Sequence, residues 1–600
     1  MKPGEPAPAS LFLGQLMTPA STNVQPAPAH HVVEYATSRP RVLGWLRSAA
    51  ILDGDWGTSI AYVLGIAFTL AGSSSLWHLA AMLAFTTLVA LNYVTICRLY
   101  PNGGGVYSSV QHRSRLIAVI GALLLGADFV VTMSLSILTA CHYLNLDHPV
   151  LWSIAIILMV ASLNWYGPKH SGGVALGISL LTIVTFVVII AVSAPSAIPR
   201  VHVEPIHDSF VKNWAIFVGI ILSISGIESI SNMTGLMKEP ARDSKRAILA
   251  VLAKVIVATV FLGLAMHAIP GLTGHTEDMV RFLGEYYVGE WFGWVIAISL
   301  GFLLISAGNT AMNSLISIQF LMSVDRELPI ALRRLNRYGV PVIPLCVSTA
   351  APIIVLLLVH DVITLAELYA IGVVGAILIN LASTATDKTL TIGRSTRNLL
   401  LISAVILFFV ELSIVVEKPK AAIFASIVLV TGLAARSVTK RRPVLAPVPA
   451  EAVPVRVEKR RRARRAMPSA KFLVALKGMD ERLLKFALDE AKTRNAMLFV
   501  LRIKEIAVGS LPERLELLAN GEERKIEEKC AGADVDYQLI SIPSNEVGYT
   551  IAEHAAMFGA DRVILGAPSR NLVEKVLKGS TIRSVGSLLP EEIQLVIFGG

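Results

Sequence analysis

The sequence predicts an α-helical polytopic membrane protein that ends in a separate α/β domain. Apolar residues make up 54% of the 600-residue chain and charged residues only 16%, proportions far outside the range of soluble domains. Apolar stretches of about 20 residues, long enough to cross a bilayer as helices, recur from Ala49 to Arg436. From Ser469 onward, short strand-like runs alternate with amphipathic helices, the pattern of a parallel sheet covered on both faces.

Residues 45–436 form the predicted transmembrane domain, and residues 1–44 form a predicted disordered cytoplasmic tail. The tail is rich in proline and alanine and lacks the apolar core of a signal peptide. Twelve apolar stretches follow and are numbered here as spans 1 to 12. Their approximate bounds are 49–71, 77–97, 116–142, 149–165, 173–194, 213–234, 248–269, 291–322, 341–359, 363–383, 399–416 and 421–436.

Lysine and arginine indicate how the spans are oriented. The loops after even-numbered spans are rich in both residue types, as in Arg333, Arg334 and Arg337, whereas the opposite loops carry few. Because positively charged loops stay on the cytoplasmic side, we expect a multi-pass protein of the cell (inner or plasma) membrane with both termini in the cytoplasm.

A basic linker rich in proline and alanine is predicted at residues 437–468. It ends in a cluster from Lys459 to Arg465, which anionic lipid headgroups would attract. A solvated tether is the alternative interpretation. The net charge of +10 comes largely from this linker and the short loops, so it indicates topology and lipid contact, and we expect no nucleic-acid partner.

Span 1 contains a polar, glycine-rich interruption, LDGDWGTS. Irregular backbone at membrane depth is tolerated only where it lines a cavity, and intramembrane carboxylates mark functional sites. Asp55 and Gly57 are therefore candidate site residues. For Asp53 two interpretations stay open: it belongs to the break, or it lies at the cytoplasmic lip and reaches water.

Span 6 contains a second interruption, at Ser225 and Gly226, with the carboxylate of Glu228 two residues beyond. Breaks in the first and sixth spans are typical of transporters built from two inverted repeats of five helices, which hold the substrate at the breaks. These three residues are therefore added to the candidate site.

Span 3 places Asp128, Thr132 and Ser136 at intervals of four residues, hence along one helix face. They are candidate ligands of the same site. Hydrogen bonding between packed helices is the alternative role of the two hydroxyls.

Six motifs together resemble the amino acid–polyamine–organocation (APC) superfamily across residues 45 to 436. They are GDWGTSIAY in span 1, YPNGGGVYSSV before span 3, NWYGPKHSGG after span 4, SGIES in span 6, SVDRELPIALRRLNRYGVPVIPL after span 8 and LYAIGV in span 10. The resemblance implies a LeuT-like five-plus-five inverted repeat with two additional helices, working as a secondary transporter by alternating access.

Within that superfamily, the site residues are most similar to those of proton-coupled potassium uptake permeases. Phe129 departs from the tyrosine that is usual there. The resemblance implies potassium import, with Glu228 or Asp55 carrying the coupling proton. Carboxylates attract cations, and hydroxyls are the hard oxygen ligands that replace the water of an alkali ion. The matching positions are Asp55, Tyr62, Asp128, Thr132, Ser136 and Tyr369.

Two alternatives stay open. One is a proton-coupled amino acid or amine permease of the same superfamily, although span 1 lacks the GxG-like break by which amino acid permeases bind a substrate carboxylate. The other is a membrane sensor without transport, which would have no need of two costly breaks at mid-membrane.

Residues 469–600 form the predicted C-terminal α/β domain. Its predicted strands are KFLVAL, AMLFVLRI, VDYQLISI, RVILGAP and IQLVIFG, and its predicted helices are ERLLKFALDEAKTRN and TIAEHAAMFGA. The domain resembles the universal stress protein domain, most specifically in GAPSRNLVEKVLKGS. In nucleotide-binding members of that family, small residues at this motif let backbone N–H groups approach phosphates.

The resemblance implies an adenine-nucleotide sensor, for ATP or a cyclic dinucleotide, that regulates transport. Its candidate binding residues are Gly566, Ser569, Gly579 and Ser580. Lys477 stands where ATP-binding members usually carry an aspartate. A dimerising domain without a ligand is the alternative, and under either interpretation IQLVIFG would make the protein a homodimer.

Catalytic and metal sites are not predicted. The sequence shows no nucleophile with a base, no phosphate-binding GxxxxGKS loop and no metal-ligand spacing among its cysteines. We therefore expect no enzyme activity and no required cofactor or metal, and we expect the four cysteines to be buried.

Overall fold

The structure is a computed structural model that describes residues 41, 43–103, 105–167, 172–272, 275–441, 470–507, 521–567 and 580–599. The predicted N-terminal tail up to residue 40 lies outside the described residues. So do residues 442–469, which include most of the predicted linker and the basic cluster from Lys459 to Arg465.

Helices occupy all twelve predicted spans. Among the described residues, eight helices are long and apolar enough to cross a membrane, counting Trp45–Leu99 as one, and a bent pair within residues 210–236 would make a ninth. Pro149–Asn164 and Val342–Leu358 are shorter apolar helices. The multi-pass fold class is thus confirmed, whereas the number of twelve spans stays a prediction. The helix bounds are Trp45–Asp53 and Ile60–Ala71, Ser75–Leu99, Arg115–Tyr143, Pro149–Asn164, Gly172–Ala197, Phe210–Gly219 and Ser229–Met233, Pro240–His267, Glu290–Val324, Val342–Leu358, Val362–Thr386, Arg394–Glu417 and Pro419–Arg441.

Spans 1 and 6 are both interrupted. In span 1, Gly54 and Asp55 separate the first helix from a short 3₁₀ turn, Trp56–Ser59, after which the helix resumes. In span 6, a 3₁₀ turn at Ile221–Ile224 leads into extended backbone, and the two halves differ in direction by 44°. The interruptions lie five spans apart, as two five-span repeats require.

The spans pack around span 3, which is buried on nearly all sides through its middle. Peripheral spans bury one narrow face: in span 11, Leu400, Leu407 and Ile414 are buried at intervals of seven residues, whereas Ile402 and Phe409 are exposed. An apolar residue exposed on such a span faces the bilayer. The expectation that all four cysteines are buried is wrong, because Cys346 lies on the exposed face of span 9.

The C-terminal domain contains a five-stranded parallel sheet. The strands are β1 (Ala470–Leu476), β2 (Ala496–Glu505), β3 (Tyr537–Ser544), β4 (Arg562–Gly566) and β5 (Gln594–Phe598), in the order β3-β2-β1-β4-β5. All pairings are parallel, and an apolar cluster covers each face. The predicted α/β class is therefore confirmed.

Four helices accompany the sheet in the part of the domain that the structure describes: Glu481–Thr493, Gly521–Gly532, Val547–Phe558 and Thr581–Leu588. The sequence did not predict Gly521–Gly532. Its composition, GEERKIEEKCAG, is mostly charged, and its apolar contact rests on Ile526 and Cys530, one turn apart.

Candidate functional site

The two helix breaks touch each other at the centre of the membrane domain. Gly226 has a φ of +90°, which favours glycine. A Cβ atom there would lie 2.5 Å from the backbone nitrogen of Trp56. The Trp56 indole N–H also donates to the Ser223 carbonyl, at 3.2 Å. Span 6 therefore needs glycine at this position to approach span 1.

Asp55 lies at this contact, immediately before the 3₁₀ turn of span 1. Its side chain is buried and accepts a hydrogen bond from the Ser229 hydroxyl of span 6. Its carbonyl accepts a hydrogen bond from the Thr58 hydroxyl at 2.5 Å. Asp55 is thus held by hydrogen bonds within span 1 and from span 6.

Two tyrosine hydroxyls also lie at the site, one from span 10 and one from span 1. The Tyr369 hydroxyl of span 10 donates a hydrogen bond to the Ser225 hydroxyl in the break of span 6. Tyr62 is buried in span 1, with its hydroxyl close to Thr58 and Tyr369. The structure therefore brings together residues of spans 1, 6 and 10, of which only span 10 entered the sequence analysis through the resemblance alone.

Asp128 and Glu228 add two carboxylates with unused oxygens. Neither carboxylate oxygen of Asp128 has a hydrogen-bond partner among the described residues, although the hydroxyls of Thr132 and Ser225 are nearby. Glu228 accepts one hydrogen bond from the Gly226 N–H at 3.2 Å, and its other oxygen, Oε2, has no partner in the described part of the chain. Both carboxylates are buried and interact electrostatically with Asp55.

Span 10 approaches the site closely beside Asp128. A Cβ atom at Gly372 would lie 2.8 Å from the Asp128 backbone nitrogen. The small residue one turn after Tyr369 thus lets span 10 lie against span 3, which keeps the tyrosine and the carboxylate in one site.

The remaining predicted residues are placed less directly. Thr132 donates its hydroxyl to the Asp128 carbonyl within span 3, at 2.8 Å. Ser136 is buried one turn farther, and within the described structure its hydroxyl forms no hydrogen bond to the others. Gly57 faces Asp53, since a Cβ there would overlap the Asp53 carboxylate. Gly57 therefore packs against a neighbouring cluster, not against the carboxylates of the site.

That neighbouring cluster is a buried ion pair that the sequence analysis missed. Both oxygens of Asp53 lie 2.7 Å from the Lys254 ammonium of span 7, and Ser179 of span 5 donates to Asp53 Oδ2 at 2.6 Å. The ammonium also lies 5.3 Å from the centroid of the Phe186 ring. Asp53 is 2% exposed, so it is not the water-facing side chain of the alternative interpretation. The only hint of this ion pair in the sequence was a lysine inside the apolar run of span 7.

A family comparison identifies the membrane domain. The family model for amino acid permeases matches residues 43–433, about two thirds of the chain. The chain belongs to the amino acid permease family. A second match, to the universal stress protein family, covers residues 470–590, the domain built on the parallel sheet.

Two curated proteins are similar to this permease. An uncharacterized transporter of Legionella pneumophila is 27% identical over 309 residues, which cover 46% of this chain and 65% of that protein. A polyamine transporter of Arabidopsis thaliana is 26% identical over 254 residues, which cover 39% of this chain and 50% of that protein. The permease thus spans less than two thirds of the length of each relative.

The candidate nucleotide site of the permease's C-terminal domain is only partly described. Ser569 and Gly579 lie outside the described residues. Gly566 ends β4, and Ser580 caps the helix Thr581–Leu588, its hydroxyl accepting a hydrogen bond from the Arg583 N–H at 3.3 Å. Asp480, which the sequence analysis did not single out, lies after β1 with its carboxylate 3.8 Å from where a Cβ of Gly566 would be.

Proposed function

We propose that this permease is a secondary transporter that carries protons and a cation inward together, with both bound at the contact between spans 1 and 6. One observation carries the proposal: three buried carboxylates, Asp55, Asp128 and Glu228, share the site. Within the described residues, none of them has a lysine or arginine partner. A buried carboxylate without a countercharge is costly, so each must hold a proton or lie beside a bound cation.

Proton coupling follows from this requirement. With three carboxylates in the site, a proton can neutralise one while the cation lies beside the others, so the site is fully neutralised only when both are bound. Glu228 and Asp55 are the proposed proton carriers, because Glu228 has an unused oxygen and Asp55 lies at the break itself. An inward proton gradient would then drive uptake by alternating access.

Potassium is the first candidate cation. The hydroxyls of Tyr62, Thr132, Ser225 and Tyr369 and the carbonyls freed at the breaks are hard oxygen ligands of the kind that replace the hydration shell of an alkali ion. Among the described residues, no three carboxylate, histidine or cysteine side chains converge as they would around a tightly bound metal ion.

An organic amine is the second candidate. Three carboxylates spread over spans 1, 3 and 6 suit a cation with more than one ammonium group, and one relative carries the name of a polyamine transporter. An amino acid substrate is favoured less, because its carboxylate would meet the three acidic side chains.

Uptake by the purified full-length protein in liposomes tests the proposal. The assay applies an inward proton gradient and offers rubidium, as a tracer for potassium, beside labelled polyamines and amino acids. We expect uptake that depends on the gradient and is lost in Asp55→Asn. Asp208→Asn is the matched control, since Asp208 is exposed and pairs with Lys212 outside the site.

The pattern of uptake decides between the candidates. Rubidium uptake supports the potassium carrier, and polyamine uptake without rubidium supports the amine carrier. Amino acid uptake alone would replace both. An Asp55→Asn protein that transports at the normal rate would remove Asp55 from the site.

A nucleotide at the C-terminal domain is proposed as the regulator. Gly566 and Ser580 lie where strand and helix ends of a parallel α/β domain receive phosphates. Titration of the full-length protein with ATP and with cyclic di-AMP tests this, and a protein that binds neither would favour the dimerising role. For that role, β5 is one of the two edge strands of the described sheet, and Ile597 on it is half exposed.

A further inference from the structure

The C-terminal end of β2 joins the C-terminal domain to the permease domain. Beyond the strand, the Ile506 N–H donates to the Ser544 carbonyl of its own domain at 2.9 Å, and the Ala507 N–H donates to the Gly339 carbonyl at 2.9 Å. Gly339 belongs to loop 8/9, residues 325–341, which connects spans 8 and 9. Two consecutive residues after β2 thus donate hydrogen bonds to different domains, the first to its own domain and the second to the permease domain.

Apolar packing reinforces this contact. Ile506 is fully buried against Phe320, at the end of span 8, with Val324 and Leu335 around the pair. Ile506 does not belong to either of the apolar clusters that hold the C-terminal domain together. Its burial therefore stabilises the docking of the two domains and not the fold of its own domain.

Two glycines make the close approach feasible. Gly339 has a φ of +84°, and a Cβ there would overlap the Glu505 carbonyl. Gly167, after span 4, has a φ of +62°, and a Cβ there would overlap the methyl group of Ala507. Side chains at these positions would push the C-terminal domain away, so both glycines fit the docked arrangement.

Loop 8/9 also contacts three other parts of the permease domain. The Tyr107 hydroxyl donates to Asp325 at 2.8 Å. The Asn336 amide donates to the Trp165 carbonyl after span 4, also at 2.8 Å. Glu327 is buried and accepts hydrogen bonds from two basic residues of span 12. These residues are Arg436, at 2.5 Å, and Lys440, at 2.8 Å.

Span 8 connects this loop to the candidate site. A Cβ atom at Gly54, in the break of span 1, would lie 3.5 Å from the Ser306 hydroxyl of span 8. At 1.5 Å per residue, Ser306 is about 27 Å along the helix from Val324. A shift of loop 8/9 thus acts on a rigid helix whose middle packs against the break.

The proposed ligand crevice lies on the same edge of the sheet as the docking contact. In an open parallel sheet, ligands bind outside the carboxyl ends of the strands where the strand order reverses, which here is between β1 and β4. β2 is the neighbour of β1, and adjacent strands are about 4.8 Å apart. A ligand at that crevice would lie beside the strand end that contacts loop 8/9.

We propose that loop 8/9 is the docking surface through which the C-terminal domain controls the permease domain, with Ile506 and Ala507 as the contact and span 8 as the connection to the site. The inference rests on the proposed transport function for its effect on uptake, but the docking itself can be measured separately. The occupant of the surface is the C-terminal domain of the same chain.

Hydrogen exchange and uptake, measured on the same full-length variants, test the proposal. Ile506→Asp places a carboxylate in the apolar contact, whereas Met557→Asp places one at an exposed position of the same domain and is the control. A chain truncated after residue 469 is the reference for uptake without the domain. We expect Ile506→Asp to speed amide exchange in residues 325–341 by about tenfold or more, with uptake equal to that of the truncated chain. Met557→Asp should match the wild type in both.

Two results would overturn the proposal. Unchanged exchange of loop 8/9 in Ile506→Asp would show that the docking is absent, and faster exchange with wild-type uptake would show that the docking controls nothing. If Ile506→Asp unfolds the C-terminal domain, seen as faster exchange throughout the sheet, Phe320→Ala tests the same contact from the permease side. If the wild type itself takes up no solute, the proposed function fails, while the exchange data still decide the docking.

Discussion

Asp53 and Asp55 lie two residues apart at the break of span 1, yet their electrostatic environments are opposite. Asp53 has both oxygens paired with the Lys254 ammonium. Asp55 accepts a hydrogen bond from Ser229 and, within the described residues, has no cationic partner. Burial alone therefore does not mark a transport site. A buried carboxylate with its own ammonium is already neutralised, whereas one without it must take positive charge from a proton or from the solute.

The largest expected effect comes from removing the ammonium. Lys254→Met would leave Asp53 as an uncompensated buried charge, which costs about 3–5 kcal/mol when a buried pair is broken. We expect a strongly lowered midpoint of thermal unfolding in detergent. The double variant Asp53→Asn with Lys254→Met removes both charges and should recover most of the loss. If Lys254→Met were as stable as the wild type, the ion pair between Asp53 and Lys254 would not contribute to the stability of the fold.

The contact between the two breaks should be the next most sensitive. In Gly226→Ala the new methyl group meets the Trp56 backbone, and overpacking of this kind costs about 1–3 kcal/mol. Gly72→Ala is the matched control, because Gly72 also has a positive φ but has open space around it. We expect a lower midpoint of thermal unfolding and slower uptake in Gly226→Ala than in Gly72→Ala. Equal effects in the two variants would mean that only backbone strain matters.

Asp55→Asn should scarcely change stability, in contrast to Lys254→Met. The asparagine keeps an oxygen for the Ser229 hydroxyl and leaves no charge unpaired, so we expect the free energy of unfolding to stay within about 1 kcal/mol of the wild type. The same unfolding assay measures this. A loss as large as that of Lys254→Met would place Asp55 in the structural class with Asp53.

A partnered carboxylate outside the spans gives the smallest predicted effect. Hydrogen bonds from Thr389 and His112 lower the pKa of Asp387, after span 10, from 3.8 to about 2. A carboxyl whose pKa is lower in the folded than in the unfolded state stabilises the folded protein at pH values above its unfolded-state pKa. This stabilisation is lost as the pH falls through the folded-state pKa. Asp387→Asn should therefore be less stable than the wild type at pH 7, and the difference should shrink between about pH 4 and pH 2. A difference independent of pH would contradict this origin.

Local patterns in the sequence predicted the fold class and the positions of the two helix breaks. Hydropathy located the helices, strand-like runs located all five strands to within two residues, and small residues located the breaks. These signals depend on neighbours in the chain. The charged helix Gly521–Gly532 was missed because its apolar stripe is only two residues wide.

Pairings between distant residues could not be predicted in the same way. Nothing near Lys254 in the sequence indicates that it meets Asp53, 201 residues away, since a lone lysine in an apolar run also suits a side chain that reaches the membrane surface. Nor does the positive φ of Gly226 reveal that it faces Trp56. Contact across the core depends on how the spans pack, which hydropathy does not encode.

Glycines at positions 167 and 339 also bear on how such a protein could be assembled or engineered. A C-terminal domain grafted onto another permease would dock in this way only if that permease had glycine at both positions, because a side chain there would collide with residues 505 and 507. Exchanging domains among permeases would thus require a permease domain that leaves space for the end of β2, and these two glycine positions are the first to inspect when chimaeras are designed.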